Sequence, residues 1–169
     1  MSTSIRSRDL LTGESCEEQC LRSFCELTGV DLSTTARGHR FDYINEPRKV
    51  VVEIKGRHCA HNRYPTTMIG LGKIEKFHEM GPGWKLWLGV VFTDGLWAAE
   101  LTPEVLEGST EAKGGRSDRG RPEYRQYMFI PMDKFTRVEG SHSSLLPHGG
   151  SPPVSGTPQS WRKPREVVR

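Results

Sequence analysis

The sequence predicts an α/β fold in which a mixed central sheet is flanked by helices. Three observations indicate this class: an amphipathic helical pattern near the start of the chain, a strand hairpin after it, and a second helical pattern that precedes two further strands. Helices and strands in this order are typical of a sheet covered by helices. The 169 residues are enough for one domain with a buried core.

The first helix is predicted from Ser15 to Thr28, after a flexible start at residues 1–12. Ser15 fits the N-cap position, because Glu18 follows three residues later as in a capping box. Gly29 fits the position just after the last turn, where a left-handed residue ends many helices. The predicted apolar face of this helix consists of Cys20, Leu21, Phe24 and Leu27.

Two short strand patterns follow, near Ser33–Ala36 and at His39–Ile44. The turn residues Asn45-Glu46-Pro47-Arg48 come next, and they predict a hairpin with a strand at Val50–Lys55. That last strand is rich in β-branched apolar residues, so we expect it to be buried.

A second helix is predicted from Pro65 to about Met80, because proline suits the first turn of a helix. The turn Gly81-Pro82-Gly83 ends it. Two strong strand patterns follow, at Trp84–Phe92 and Leu96–Leu101.

The rest of the chain has weaker patterns. Thr102-Pro103-Glu104 can open one short helical turn, and the Gly-rich, charged segment 108–122 is predicted to be a mobile loop. A last strand is expected at Tyr124–Pro131, followed by Met132–Val138. Residues 139–169 are rich in Ser, Pro, Gly and His and are predicted to be a disordered tail.

Composition limits the classes of function. The predicted domain is 13–138, and the low hydrophobic content of 34% agrees with unpacked sequence outside it. No apolar run reaches membrane-spanning length, so we expect no membrane association and an intracellular protein, in cytoplasm or nucleus. The net charge of +3 permits a nucleic-acid partner without requiring one. Three of the four cysteines lie on the first helix, which argues against a disulfide framework.

Charged residues occupy an unusual place on the predicted buried strand. Glu53 and Lys55 are two positions apart, so their side chains should project from one face, about 6–7 Å apart along the strand. A buried strand seldom has two charges on one face. Asp42 lies eleven positions before Glu53, on the neighbouring strand pattern. An Asp followed by Glu-x-Lys in this arrangement predicts a metal-dependent nuclease site.

These residues and the order of the elements resemble the PD-(D/E)XK nuclease superfamily, which has the restriction-endonuclease-like fold, over roughly residues 13–101. Within it, archaeal-type Holliday-junction resolvases give the best-matching pattern. Their first helix starts with a Gly and has a Glu four positions later, as Gly13 and Glu17 do here. The proline that usually precedes the strand Asp is absent, and Phe41 stands in its place.

The resemblance implies that Glu17, Asp42, Glu53 and Lys55 are catalytic. It further implies that Mg²⁺, with Mn²⁺ as a substitute, is held by Asp42, Glu53 and the backbone carbonyl of Ile54, with Glu17 as an additional ligand. Mg²⁺ prefers such oxygen ligands. Lys55 would position the attacking water and the scissile phosphate. Glu17 would share the core-facing side of its helix with the apolar residues there.

Each of these residues also has a purely structural interpretation. Glu53 and Lys55 could lie on the solvated face of an antiparallel strand, where alternating charges are ordinary. Asp42 could face solvent on an edge strand, and Glu17 could be a first-turn acid favoured by the helix dipole. The occurrence of all four in the order of the superfamily favours the active site.

A second group of residues is expected to contact nucleic acid. Arg57, His58 and Arg63 lie in the loop after the buried strand, and Thr67 and Lys73 lie on the predicted second helix. A solvated loop and exposed helix residues are the structural alternative. The run His58-Cys59-Ala60-His61 resembles a zinc motif, but zinc normally takes four ligands and no second pair stands nearby.

The resemblance implies a magnesium-dependent endonuclease that hydrolyses phosphodiester bonds in duplex or branched DNA. Resolution of a Holliday junction would require two active sites and therefore a homodimer. Two alternatives stay open: a catalytically silent DNA-binding module of the same fold, and a nuclease for RNA or flapped single strands.

Overall fold

The computed structural model describes residues 5–116 and 123–138. Its helices are α1 (Ile5–Thr28), α2 (Leu71–His78) and α3 (Pro103–Glu107). Its strands are β1 (Ser33–Thr34), β2 (Tyr43–Asn45), β3 (Val50–Gly56), β4 (Thr66–Gly70), β5 (Lys85–Phe92), β6 (Gly95–Glu100), β7 (Thr110–Arg116), β8 (Glu123–Pro131) and β9 (Thr136–Arg137). Within these ranges no helix is both long enough and apolar enough to span a bilayer.

The strands form two sheets. The larger has six strands in the order β1-β2-β3-β5-β6-β9, and the smaller has three in the order β4-β8-β7. In the larger sheet β3 and β5 are parallel, whereas the other neighbouring pairs are antiparallel. The predicted α/β fold with a mixed central sheet flanked by helices is therefore confirmed.

One face of β3 packs against α1. Val50 and Val52 belong to a buried cluster that also contains Cys20 and Phe24 of α1. Gly89 on β5 lies in this contact, since a Cβ built there would be 2.6 Å from Phe24 Cε2. The helix thus approaches the sheet so closely that only a glycine fits at this point.

The opposite face of β3 is directed toward the second sheet and α2. Val51 packs in a second cluster with Ile69 of β4 and Ile74 of α2. Because strand side chains alternate between faces, Glu53 and Lys55 lie on the same face as Val51. The charged pair is therefore covered by the second sheet and α2, not by α1.

Helix α1 is longer than predicted. It begins at Ile5 instead of Ser15, so Ser15 is not its N-cap, and residues 5–12 of the predicted flexible start are helical. Gly13 lowers helix stability by only about 1 kcal/mol relative to Ala, which does not end a helix. Gly29 follows the last turn with a φ of 65°, which confirms the predicted end.

The predicted second helix is in part a strand. Residues 66–70 form β4, which pairs with β8, and only residues 71–78 are helical. Thr66, Thr67 and Ile69 are β-branched and favour an extended chain, and pairing with β8 overrides the helical spacing of the apolar residues.

The predicted mobile loop 108–122 is also in part a strand. Residues 110–116 form β7, which pairs along its whole length with β8. The glycines at 114 and 115 disfavour a strand, but the hydrogen bonds to β8 compensate for this. Residues 117–122 and the predicted tail at 139–169 lie outside the described residues.

The other predicted elements agree with the structure to within a few residues. The hairpin between β2 and β3 is present, as are β5, β6 and β8. Helix α3 starts after Thr102, whose side chain accepts a hydrogen bond from the Val105 N–H. Ordinary strand and capping patterns were sufficient to locate these elements.

Candidate active site

Four charged side chains meet beside the second half of β3: Asp42, Glu53, Lys55 and Lys73. We call them the acid–lysine cluster. Asp42 directly precedes β2, and its backbone N–H donates to the Val52 carbonyl at 3.0 Å, which continues the β2–β3 pairing by one residue. Its carboxylate Oδ2 accepts a 2.7 Å hydrogen bond from the Ile54 N–H. The carboxylate of Asp42 is thereby fixed against the edge of β3.

Glu53 is the buried member of the acid–lysine cluster. It is 2% exposed, yet both carboxylate oxygens have ammonium partners: Lys55 Nζ donates to Oε1, and Lys73 Nζ donates to Oε2 at 2.8 Å. The two lysine side chains are 33% and 32% exposed. A buried carboxylate is very costly without such partners. The two lysines offset the cost of burying the Glu53 carboxylate while their own side chains stay partly exposed to solvent.

Lys73 enters the cluster from the first turn of α2. Its Nζ also donates to the Arg40 carbonyl and lies 5.5 Å from the centroid of the Phe41 ring. It thus ties α2 to the segment that presents Asp42. Lys73 was expected to lie on an exposed helix face and to contact nucleic acid; the structure pairs it with Glu53, and its contact with nucleic acid stays a prediction. Sequence spacing gave no signal for this pair, because the two residues are on elements that meet only in the folded chain.

Burial and several neighbouring groups shift the pKa of Asp42. Desolvation raises the pKa of Asp42 above its usual value, although much of the residue is exposed. The Ile54 N–H lowers this pKa, the negative charge of Glu53 raises it, and Lys55 and Lys73 lower it. Asp42 and Glu53 are therefore close enough to repel each other, which is the arrangement that a bound cation stabilises.

Glu17 is not brought into the cluster. It is exposed, and its helix packs against the face of β3 opposite to Glu53. Its backbone carbonyl accepts a 2.9 Å hydrogen bond from the Tyr43 hydroxyl. Across residues 5–116 and 123–138, no three or more His, Cys, Asp or Glu side chains are placed to hold a metal ion together. Helical periodicity located Glu17 relative to its own helix, but it could not indicate which face of the sheet that helix covers.

The predicted loop contacts lie at the end of β3. The Arg57 backbone N–H donates to the Val91 carbonyl at 2.8 Å, and its side chain is half-buried. His58 and Arg63 are exposed, with the Arg63 guanidinium 5.7 Å from the ring centroid of Tyr64. The three predicted residues are thus near the exit of the strand that contains Glu53 and Lys55. Their contact with nucleic acid stays a prediction.

Thr67 lies in the core and not on a surface that faces a substrate. It is on β4 opposite Ile130, it is 6% exposed, and its buried hydroxyl has no hydrogen-bond partner among the described atoms. The expectation that Thr67 contacts nucleic acid depended on a helix at this position. The strand found there turns the side chain inward.

The donor set of the acid–lysine cluster fits a hard divalent cation. Asp42 and Glu53 supply carboxylate oxygens, and the Ile54 carbonyl belongs to the same stretch of β3. Oxygen ligands of this kind suit Mg²⁺ or Mn²⁺, which retain waters as their remaining ligands. A cation at Glu53 has to share the carboxylate with a lysine or displace it. The structure adds no further ligand to the zinc-like run from His58 to His61. In the part of the chain described, no group of three or more metal-binding side chains contains these histidines.

The sequence was also compared with known proteins. The family model described as "Phage putative PDDEXK endonuclease" matches residues 10–138, more than half of the 169 residues, and all members of the acid–lysine cluster are inside the match. No curated protein and no solved structure matches the chain.

Proposed function

The chain belongs to the phage PDDEXK endonuclease family, and on this premise we propose that it is a divalent-cation-dependent endonuclease that hydrolyses phosphodiester bonds in DNA. The membership confirms the PD-(D/E)XK superfamily expected from the sequence. The observation that supports the proposal most strongly is Glu53, a buried carboxylate beside Asp42 with a lysine on each oxygen. A glutamate is almost never fully buried unless it is paired, so a buried carboxylate with two ammonium partners is an unusual feature for a sheet.

In this proposal Asp42, Glu53 and the Ile54 carbonyl hold Mg²⁺, for which Mn²⁺ can substitute. A bound cation of this type supplies a water of lowered pKa and neutralises phosphate charge. Asp42 is held beside β3 by two hydrogen bonds: its backbone N–H donates to the Val52 carbonyl, and its carboxylate accepts from the Ile54 N–H.

Lys55 is the residue proposed to orient the attacking water and one oxygen of the scissile phosphate. Its ammonium is held at Glu53 and is partly exposed, so it can exchange one hydrogen bond for another with the substrate. Lys73 stands at the other oxygen of the same carboxylate and is exposed to the same extent. The two ammonium groups balance the two carboxylates of the cluster, and a bound divalent cation would supply the additional positive charge that attracts a phosphate.

The finer identity of the substrate is also a proposal. Duplex or branched DNA is the class expected for this family, and Holliday-junction resolution would need a homodimer with two active sites. A catalytically silent DNA-binding module is less well supported, because Asp42, Glu53 and Lys55 are all present and lie close together. A nuclease for RNA or flapped single strands would use the same chemistry, so this alternative differs from the first proposal only in its substrate.

One assay tests the proposed function. Supercoiled plasmid, a synthetic four-way junction, a flapped duplex and a hairpin RNA are each incubated with the protein, with Mg²⁺ or with a chelator. We expect Mg²⁺-dependent cleavage of DNA that Lys55→Ala lowers by about 10²–10⁴-fold, the range for a group that acts on the reacting atoms. The matched control is Lys76→Ala, an exposed lysine on α2. Cleavage of RNA alone, or equal rates for the two variants, would contradict the proposal.

A further inference from the structure

A histidine outside the acid–lysine cluster is held in one orientation by a carboxylate. His61 lies in the loop between β3 and β4, and Asp94 lies in the turn between β5 and β6. Asp94 Oδ1 accepts a 3.0 Å hydrogen bond from the His61 backbone N–H, and Oδ2 is 2.6 Å from His61 Nδ1. An ionised carboxylate can only accept hydrogen bonds, so Nδ1 must bear a proton. Nε2 is therefore the ring nitrogen that is left to bind another group.

The ring of His61 also rests on an aromatic platform. It stacks on Trp97 with ring centroids 4.1 Å apart and an interplanar angle of 14°. The guanidinium of Arg137 lies 5.5 Å from the same indole ring, and its Nη2 donates to the Asp94 carbonyl at 3.3 Å. The His61 side chain is 37% exposed, and no described residue forms a hydrogen bond to its Nε2. The ring is thus fixed on one side and open to solvent on the other.

Strand register places this histidine on the same face of the sheet as the acid–lysine cluster. Trp97 pairs with Val90, and Val90 pairs with Lys55, so the three residues form one row across the sheet. Trp97 and Val90 belong to the buried cluster on the face of Val51, which is also the face of Lys55. With strands spaced about 4.8 Å apart, the Cα atoms of Trp97 and Lys55 are about 10 Å apart.

The charges around His61 favour an anion. The acid that faces it is Asp94, both of whose oxygens accept from His61. Arg137 approaches from β9, and Arg57 and Arg63 of the same loop are close enough to lower the pKa of the Cys59 thiol, although burial raises that pKa overall. The thiol is therefore neutral. Three arginines against one carboxylate give this corner a net positive charge without any contribution from His61.

We propose that His61, held by Asp94 and Trp97 and flanked by Arg137, binds a phosphate of the nucleic-acid strand adjacent to the scissile phosphate. Lys55 is held at Glu53, whereas His61 is held at Asp94 and Trp97, two strands away across the sheet, so we assign the two residues to different phosphates of one strand. The protonated ring donates from Nε2, and binding therefore takes up a proton at His61. This proposal rests on the proposed nuclease function and adds a subsite to it.

A purely structural role for His61 predicts a different set of results. If the histidine only anchors its loop to the β5–β6 turn, its role depends only on the hydrogen bonds that Nδ1 and the backbone N–H form with Asp94. His61→Asn separates the two roles, because the Asn amide can still donate to Asp94 from the place of Nδ1 but has no group in the place of Nε2.

The test is DNA binding in the presence of a chelator, measured by fluorescence anisotropy of a labelled duplex. The measurement is made at about pH 5.5 and about pH 8, because these values lie on either side of the ordinary histidine pKa of about 6.5. Wild type should bind several-fold more tightly at the lower pH. His61→Asn should lose this difference. At the lower pH, the slope of the logarithm of its affinity against the logarithm of the salt concentration should be smaller in magnitude by about one than in wild type. His78→Asn, an exposed histidine on α2, should behave like wild type.

Equal pH dependence and equal salt dependence in His61→Asn and wild type would overturn the proposal. If that variant does not fold, the His61 ring is followed by NMR in the wild-type protein. The signals of the ring should shift when the duplex is added at about pH 5.5, and unchanged signals would equally overturn the subsite. Because binding is measured without metal, the result is separate from cleavage. Wild type that binds in the predicted way but never cuts would refute the nuclease function and not the phosphate contact.

Discussion

Glu53 shows why a buried charge on a strand is informative at the scale of single residues. Its neighbours Val51 and Val52 are fully buried, and an unpaired carboxylate among them would destabilise the fold by several kcal/mol. Two lysines from different elements compensate for this cost. Such an arrangement stabilises a fold poorly compared with apolar packing, so its presence points to function.

Lys73→Ala tests the second lysine. The substitution leaves one oxygen of the buried Glu53 without its partner, so we expect a loss of about 1–3 kcal/mol in the free energy of unfolding. Urea denaturation measures this loss. Lys76→Ala on the same helix is exposed and should stay within about 0.5 kcal/mol of wild type. If both variants unfold at the same urea concentration, Lys73 does not support Glu53.

Asp94 gives a prediction of pH dependence. Burial raises the pKa of Asp94, but hydrogen bonds from the ring and backbone N–H of His61 outweigh this effect and place it below the ordinary value of 3.8. A lowered pKa in the folded state contributes stability that is present above the unfolded pKa and is lost as the pH falls through the folded one.

Asp94→Asn should therefore be less stable than wild type near neutral pH, and the difference should shrink below about pH 4. Thermal unfolding followed by circular dichroism at a series of pH values measures it. Asp133→Asn, an exposed aspartate in the short turn before β9, is the control and should show no comparable difference. A gap between Asp94→Asn and wild type that persists at low pH would contradict this account of the His61–Asp94 pair.

At the scale of elements, patterns along the chain identified β3, β5 and β6 correctly and misassigned β4. The strong strands are rich in β-branched and apolar residues, so their periodicity was unambiguous. The segment 66–70 has apolar residues whose spacing suits a helix as well as a strand. Pairing with β8, more than fifty residues later in the chain, decides between them, and no local pattern contains that information.

Gly89→Ala tests the contact between α1 and the sheet. The new Cβ would lie 2.6 Å from Phe24 Cε2 and 2.7 Å from Ile54 Cδ1, so one of them must move. We expect the free energy of unfolding to fall by about 1–3 kcal/mol, the usual cost of overpacking. Gly72→Ala on α2 meets no atom within 4 Å and should be neutral or stabilising by up to about 1 kcal/mol. A neutral Gly89→Ala would mean that α1 does not pack at this distance.

At the scale of the whole molecule, the sequence predicted the part of the candidate site that local spacing determines. Glu53 and Lys55 share a strand and Asp42 shares its hairpin, so periodicity and a turn were enough to bring them together. Lys73 joins them from a helix that covers the sheet, and this depends on the packing of distant elements. Glu17 does not join the cluster, because its helix, although predicted from the sequence, packs on the opposite face of the sheet.

The His61 site likewise depends on the packing of elements that are distant in the sequence. Its members come from the β3–β4 loop, the β5–β6 turn, β6 and β9, and they converge only because these strands are neighbours in one sheet. The run from His58 to His61 resembles a zinc motif that lacks further ligands, and it gave no sign of the carboxylate or the indole that fix His61. The sheet therefore supports two groups of residues on one face, one proposed to cut the strand and one proposed to hold it.

The most direct test of the central claim is the rate of Mg²⁺-dependent plasmid nicking by Glu53→Gln, measured with enzyme in excess of substrate. The amide has the shape of the carboxylate but no negative charge for a cation or for the two lysines. We predict a fall of at least about 100-fold relative to both wild type and Glu75→Gln, an exposed glutamate on α2, with thermal unfolding recorded for all three proteins. A folded Glu53→Gln protein that nicks DNA at the wild-type rate would contradict the assignment of the acid–lysine cluster as the active site.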